Sequence, residues 1–185
     1  MTHERRVTIS TILSLSRIVL IAPFWWALSL PESGGRWWAM LVLGVGVATD
    51  FLDGYVARHF HQVSEVGKAV DPLADKVGIA AVAIIMAERN FIPVWFVAIL
   101  ILRDALIVAG GLYIRRKKKI IAQSSWPGKI AVNFIALYIL LSLVQWEQLE
   151  TLRSIALWLS LLTMVYSLAT YGQRLFIGRN AMVVK

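Results

Sequence analysis

Cysteine is missing from all 185 residues. That absence removes disulfides, thiolate metal sites and a cysteine nucleophile, and it leaves the redox compartment unreadable. Polar surface is scarce too: 58% of the residues are hydrophobic, and mean hydropathy is +0.69. A soluble domain of this length would show far more polar surface. No small-residue cleavage site follows the first apolar run, so that run is expected to remain as a helix. Internal repeats and low-complexity segments are lacking.

What is present is a series of apolar stretches, several of which reach the ~20 residues a membrane-spanning helix needs. They predict an all-α integral membrane protein, a single domain over residues 1–185 with six transmembrane helices. The spans are expected near residues 10–30, 36–60, 66–88, 93–115, 126–146 and 151–173. Pro31, Gly34 and Gly35 read as the first turn; Asn90 and Pro93 punctuate the chain before the fourth span.

The net charge of +8 reads, in such a chain, as basic cytoplasmic loops against anionic headgroups, with no nucleic-acid partner. On alternating sides, thirteen Lys and Arg fall on one face, including Arg58, Lys68, the run 115–119 and Lys129. Three, Arg36, Arg89 and Arg153, fall on the other. The bias predicts cytoplasmic termini and a cytoplasmic second loop, in a bacterial-type inner or plasma membrane. Trp37, Trp38, Trp95, Trp126 and Trp146 lie near expected helix ends, where an indole ring meets both lipid and water.

Against this background the segment Thr49–Lys76 carries four aspartates, Asp50, Asp53, Asp71 and Asp75. Asp50, Asp53, Gly54 and Ala57 stand at i, i+3, i+4 and i+7, and Gly67, Asp71 and Asp75 at i, i+4 and i+8. On helices each set shares one face. The first set ends helix two and the second begins helix three, so a short connection can bring four carboxylates into one pocket.

Each aspartate costs about 2.5–3.5 kcal/mol at mid-membrane, and less near an interface. Four together also repel. Divalent cations in a polar cavity answer both problems, and oxygen ligands without sulfur suit Mg²⁺ or Mn²⁺. Two such ions balance four carboxylates. Gly54, Ala57 and Gly67 leave room for a ligand's phosphates, and Arg58 can pair with a phosphate in bidentate fashion. A lone Asp-x2-Asp-Gly is more often a helix-end acid with a capping glycine, and small residues often only pack helices. Here Asp50, Asp53, Gly54, Ala57, Arg58, Gly67, Asp71 and Asp75 stand together at fixed spacing, which separates this segment from that case.

The string resembles the signature of the CDP-alcohol phosphatidyltransferases, with every signature position present. Arg17 in the first helix and the DPLADK continuation at 71–76 extend the resemblance over nearly the whole chain. It implies an enzyme that transfers the phosphatidyl group of CDP-diacylglycerol to an alcohol and releases CMP. By that resemblance Asp50, Asp53 and Asp71 hold two metal ions, Asp75 completes the site and is the candidate general base, and Gly54, Ala57, Arg58 and Gly67 contact the cytidine diphosphate. Relatives are commonly dimers, so a homodimer is compatible with it.

For the acceptor, Arg17, Lys76, Arg103 and Lys129 are cations within or near the helices. Within the family, TILSLSRIVLIAPF (11–24), DPLADK and WPGKIA (126–131) resemble the phosphatidylglycerophosphate synthases, which implies glycerol 3-phosphate. Those enzymes typically carry Asn where Thr11 stands, Thr where Ser14 stands, and Arg-Glu where this chain has Arg103-Asp104. They tend to have Thr and Gln in the region of Val132 and Phe134. The Arg-Asp pair, LIAP (20–23) and YGQR (171–174) are similar to the cardiolipin synthases, which use phosphatidylglycerol; the resemblance thus implies glycerol 3-phosphate as the first expectation and phosphatidylglycerol as the alternative.

A divalent cation transporter is the reading from a different class, since intramembrane acids mark ion paths. The acids here cluster at one membrane end and make no through-pathway. His59 and His61 read as solvated loop residues. The basic run 115–119 reads as contact with anionic headgroups, and Glu32, Glu88, Glu147 and Glu150 as outer-loop charges.

Overall fold

The computed structural model describes the backbone of residues 18–60, 67–118 and 126–177. Side chains are described for all of these except 32–33, 50–60, 67–75, 112–118 and 174–177. Among the described residues there are six α-helices: α1 (Ile21–Ala27), α2 (Glu32–Phe60), α3 (Gly67–Glu88), α4 (Val94–Lys118), α5 (Trp126–Val144) and α6 (Glu150–Ile177). One 3-10 turn, Glu147–Leu149, precedes α6. Among the described residues no strand occurs. The chain divides into two compact units, Met1–Phe91 and Ile92–Lys185.

In the first unit α1 packs against α2 and α3. Leu28–Leu30 close α1, with the Leu30 N–H donating to the Ala27 carbonyl at 3.1 Å. The expected glycine turn is instead helical. Pro31 ends the connection, α2 starts at Glu32, and the N–H groups of Gly34 and Gly35 both donate to the Pro31 carbonyl at 3.1 and 3.0 Å. Gly35 serves packing: a Cβ there would stand 2.5 Å from the Ala27 carbonyl oxygen. Ser29 ties the far end of this unit together. Its Oγ donates to the Trp25 carbonyl at 2.9 Å and accepts from Arg89 Nη2 at 2.7 Å.

Two helices stop on left-handed residues. Asn90, at φ 60°, follows α3. The Asn90 N–H donates to the Ala87 carbonyl and the Phe91 N–H to that of Met86, at 3.0 and 2.9 Å. That pair of bonds is a Schellman cap, which satisfies carbonyls the helix end leaves open. Gln145, at φ 51°, follows α5, and its N–H donates to the Leu141 carbonyl at 3.3 Å. Both side chains are amides, a type better suited than branched residues to this conformation in Asn's case.

The second unit is built on the α5–α6 hairpin, with α4 against α6. Ala131, Ile135, Tyr138, Ile139 and Ser142 form the buried stripe of α5. Ala156, Ser160, Met164, Ser167 and Tyr171 form that of α6. Both follow the three-and-four spacing of a helix face. Phe96 of α4 meets Tyr138 edge to face, with ring centroids 4.7 Å apart. Arg103 contacts Ser167, and further on Gly111 lies against the Tyr171 hydroxyl, 3.0 Å from where a Cβ would be. The order is the same along both helices, so α4 and α6 run in the same direction.

This unit has an apolar exterior around a mostly apolar core that holds a few polar groups. Ser142, Ser160, Ser167 and Arg103 are buried, while Leu102, Trp158, Leu162 and Val165 are each more than 60% exposed. Among the described residues three stretches, Val94–Gly111, Trp126–Val144 and Glu147–Gln173, are long and apolar enough to cross a membrane. With lipid as the solvent the apolar exterior costs little, and the inward hydroxyls of Ser160 and Ser167 bond the Leu157 carbonyl and Arg103.

Candidate functional site

Helix periodicity positions the acidic segment. Asp50, Asp53, Gly54, Ala57 and Arg58 lie in the last eleven residues of α2, whose backbone stays helical to Phe60. At 1.5 Å and 100° per residue, Asp50 and Asp53 are ~4.5 Å apart along the axis and ~60° apart around it. Gly67 is the first residue of α3, with Asp71 and Asp75 about one and two turns further along. Those two are ~6 Å apart along the axis and ~40° apart around it. Each half of the signature therefore occupies one face of a continuous helix, as its spacing requires.

Residues 61–66, including His61, join the halves and lie outside the described residues, as does Arg17. Seven Cα steps from Phe60 to Gly67 cannot exceed ~25 Å. Pro72 directly follows Asp71. It has no N–H, so α3 cannot close the usual i→i−4 bond onto the Lys68 carbonyl at this point. Just before the acids, Thr49 is held in the helix by its Oγ1, which donates to the Val45 carbonyl at 2.6 Å.

The donor set fits a hard divalent cation in kind. It offers carboxylate oxygens at helical spacing and no thiolate, the chemistry that suits Mg²⁺ or Mn²⁺. Among the described side chains no group of three His, Asp or Glu residues is placed to hold a metal; the four aspartate side chains are outside that set.

The cations expected near the acceptor fall in both units. Lys76, half-buried, directly follows Asp75 on α3 and has an interaction partner. Lys129 is exposed on the first turn of α5, with its Nζ 5.6 Å from the centroid of the exposed Trp126 ring. That cation–π contact anchors the ammonium beside an indole at the helix start. Arg103 is different: it is 5% exposed at the middle of the apolar stretch of α4. Its Nη1 donates to Asp104 Oδ1 at 2.5 Å and its Nη2 to Ser167 Oγ at 2.9 Å. Ser167, on α6, is the polar partner that sequence reasoning missed. Its place three to seven residues from Met164, Tyr171 and Ser160 puts it on the inward helix face but does not name its partner.

The sequence profile of the CDP-alcohol phosphatidyltransferases matches residues 7–166, a stretch that runs through both units. A protein named cardiolipin synthase (CMP-forming) from Streptomyces coelicolor is 34% identical over 131 residues, covering 69% of this chain and 61% of its own length. One of the same name from Rattus norvegicus is 39% identical over 114 residues, 61% of this chain and 37% of its own. The Bacillus subtilis protein named CDP-diacylglycerol--glycerol-3-phosphate 3-phosphatidyltransferase is 29% identical over 133 residues, 65% of this chain and 68% of its own. The chain spans less than two thirds of the length of the first of these curated relatives.

Proposed function

This chain belongs to the CDP-alcohol phosphatidyltransferase family, and from that premise we propose that it moves the phosphatidyl group of CDP-diacylglycerol onto an alcohol, releasing CMP. The observation that carries the reading is the complete acidic signature on the helical backbone of α2 and α3. The acceptor is phosphatidylglycerol and the product cardiolipin. Identities of 34% and 39% to proteins named as cardiolipin synthases favour this, as does Asp rather than Glu after Arg103. The second reading takes glycerol 3-phosphate to phosphatidylglycerophosphate. It is favoured by the Bacillus subtilis relative and by the segments 11–24, 71–76 and 126–131.

In either reaction Asp50, Asp53, Asp71 and Asp75 hold a pair of divalent cations. Bound Mg²⁺ or Mn²⁺ would offset the charge of the diphosphate and of the departing CMP. Gly54, Ala57 and Gly67 leave space beside the nucleotide, and Arg58 pairs with a diphosphate oxygen. The acceptor hydroxyl oxygen attacks the phosphorus that bears the diacylglycerol. Its proton passes to a carboxylate oxygen of Asp75, the bond from phosphorus to the bridging oxygen breaks, and CMP leaves with the electron pair. An aspartate is a weak base at neutral pH, so the proton moves as the new bond forms, without free alkoxide. Arg17, Lys76, Arg103 and Lys129 are the cations proposed to meet the acceptor's phosphate.

The same proposal includes six membrane spans, cytoplasmic termini and signature, an inner or plasma-membrane seat and a homodimer. The thirteen-to-three Lys and Arg bias supports the sidedness. The test is an acceptor screen. Purified protein in nanodiscs is given labelled CDP-diacylglycerol, Mg²⁺ or Mn²⁺, and in turn phosphatidylglycerol, glycerol 3-phosphate, inositol phosphate or serine. CMP release and the mass of the product lipid identify the reaction. No CMP with any acceptor overturns it, and metal flux across vesicles without CMP points to transport instead.

A further inference from the structure

We propose that Ser167 is a positioning residue that fixes the Arg103 guanidinium so that its Nε edge meets a phosphate oxygen of the acceptor; this rests on the transferase reading above. A guanidinium has five N–H donors in a rigid fork. Two of its nitrogens are committed here: Nη1 to Asp104 and Nη2 to Ser167. Nε is fully buried and, among the described residues, has no hydrogen-bond partner. Buried charged donors are rarely left so: such a group bonds an ordered water, an ion or a ligand oxygen.

Place and geometry narrow what that group is. Arg103 lies ~13 Å along α4 from Val94, in the middle of an apolar stretch, where ionisable groups mark substrate paths. The Asp104 carboxylate already balances its charge, so the guanidinium contributes direction more than net charge. Nε–H offers one charge-assisted bond to a phosphate oxygen, on the same edge of the guanidinium as the Nη2 that donates to Ser167. A phosphate monoester in glycerol 3-phosphate and a phosphodiester in phosphatidylglycerol both present such oxygens.

Ser167 is what fixes the plane of that fork. It is 1% exposed, on a helix that α4 packs against, and 64 residues away in sequence. Without its hydroxyl the guanidinium is free to rotate about the Asp104 contact, and the Nε edge is no longer aimed. Ser160 is an internal comparison. It is equally buried on the same face, but its Oγ donates to the Leu157 carbonyl at 2.7 Å within its own helix.

The experiment measures steady-state kinetics of Ser167→Ala, Ser167→Thr and Ser160→Ala in nanodiscs, with acceptor and donor varied separately. Ser167→Ala should raise the acceptor KM about tenfold, equivalent to about 1.4 kcal/mol, with donor KM and kcat within about threefold. Ser167→Thr should restore it, and Ser160→Ala should leave it unchanged. Running phosphatidylglycerol and glycerol 3-phosphate in parallel identifies the phosphate: the effect appears with the acceptor that is turned over. An acceptor KM within twofold of wild type in Ser167→Ala overturns the assignment alone. So does an equal rise in donor and acceptor KM, or an equal effect of Ser160→Ala. A wild type that releases no CMP with either acceptor overturns the transferase reading and this assignment with it.

Discussion

Gly34 and Gly35 are neighbours in the first turn of α2, yet alanine should act differently at the two. A Cβ at Gly35 would lie 2.5 Å from the Ala27 carbonyl oxygen and 3.0 Å from that of Leu30. A favourable carbon–oxygen contact is ~3.3–3.6 Å, so the chain must open by several tenths of an ångström or more. The Ala27 carbonyl already accepts the Leu30 N–H at 3.1 Å, and Ala27 is 1% exposed. It has no free direction in which to retreat. Overpacking of this kind costs about 1–3 kcal/mol, against the up to ~1 kcal/mol that Gly→Ala returns in a helix interior. The net loss is about 1–2 kcal/mol. At ~2–4 °C per kcal/mol for a chain of this size, Gly35→Ala should lower the unfolding midpoint by roughly 2–8 °C. A Cβ at Gly34 or Gly44 meets nothing within 4 Å, so alanine there should leave the midpoint level or raise it by ~2–4 °C. Tryptophan fluorescence during a thermal scan in one detergent reads all three variants. The scan rate must be held fixed, because unfolding of this kind of protein is often irreversible. A Gly35→Ala midpoint equal to or above that of Gly34→Ala refutes the packing reasoning.

Asp71→Asn and Asp75→Asn should each cut CMP release at least about 100-fold, with thermal midpoints near wild type; turnover within tenfold in either removes the roles given to them. Chelation with EDTA should stop CMP release, and Mg²⁺ or Mn²⁺ added in excess should restore it; full activity in the chelator contradicts the metal role. At the α3 cap, where φ is 60°, Asn90→Gly should be neutral within a few tenths of a kcal/mol while Asn90→Val costs about 1–2 kcal/mol. The same thermal scan measures both, and equal midpoints would speak against the left-handed cap.

The helices were legible because their apolar runs are long and their ends are marked. Asn90 and Pro93 punctuate α3 and α4 as read, and the spans expected from residues 66, 93 and 126 begin within one residue of that position. Gly34 and Gly35 misled because glycine signals two things, a free backbone or a close approach, and only the Ala27 carbonyl next to Gly35 tells them apart. The helical backbone of the two acidic segments was readable from their three- and four-residue steps, a purely local rule. Ser167 was not readable. A serine in an apolar helix usually signals packing, and its bond to Arg103 crosses 64 residues, a distance over which no periodicity informs.

The inward serines also set how the second unit tolerates change. Leu102, Leu162 and Val165 lie exposed on helices long and apolar enough to cross a membrane, so one aliphatic side chain can replace another there with little consequence. Ser142, Ser160 and Ser167 are buried, so bulk matters there as well as polarity. Leucine at these three sites, a harmless choice by hydropathy, should wedge the bundle apart, whereas alanine or glycine should keep its spacing. Variation in this half of the chain is therefore ordered by volume on the inside and by greasiness on the outside.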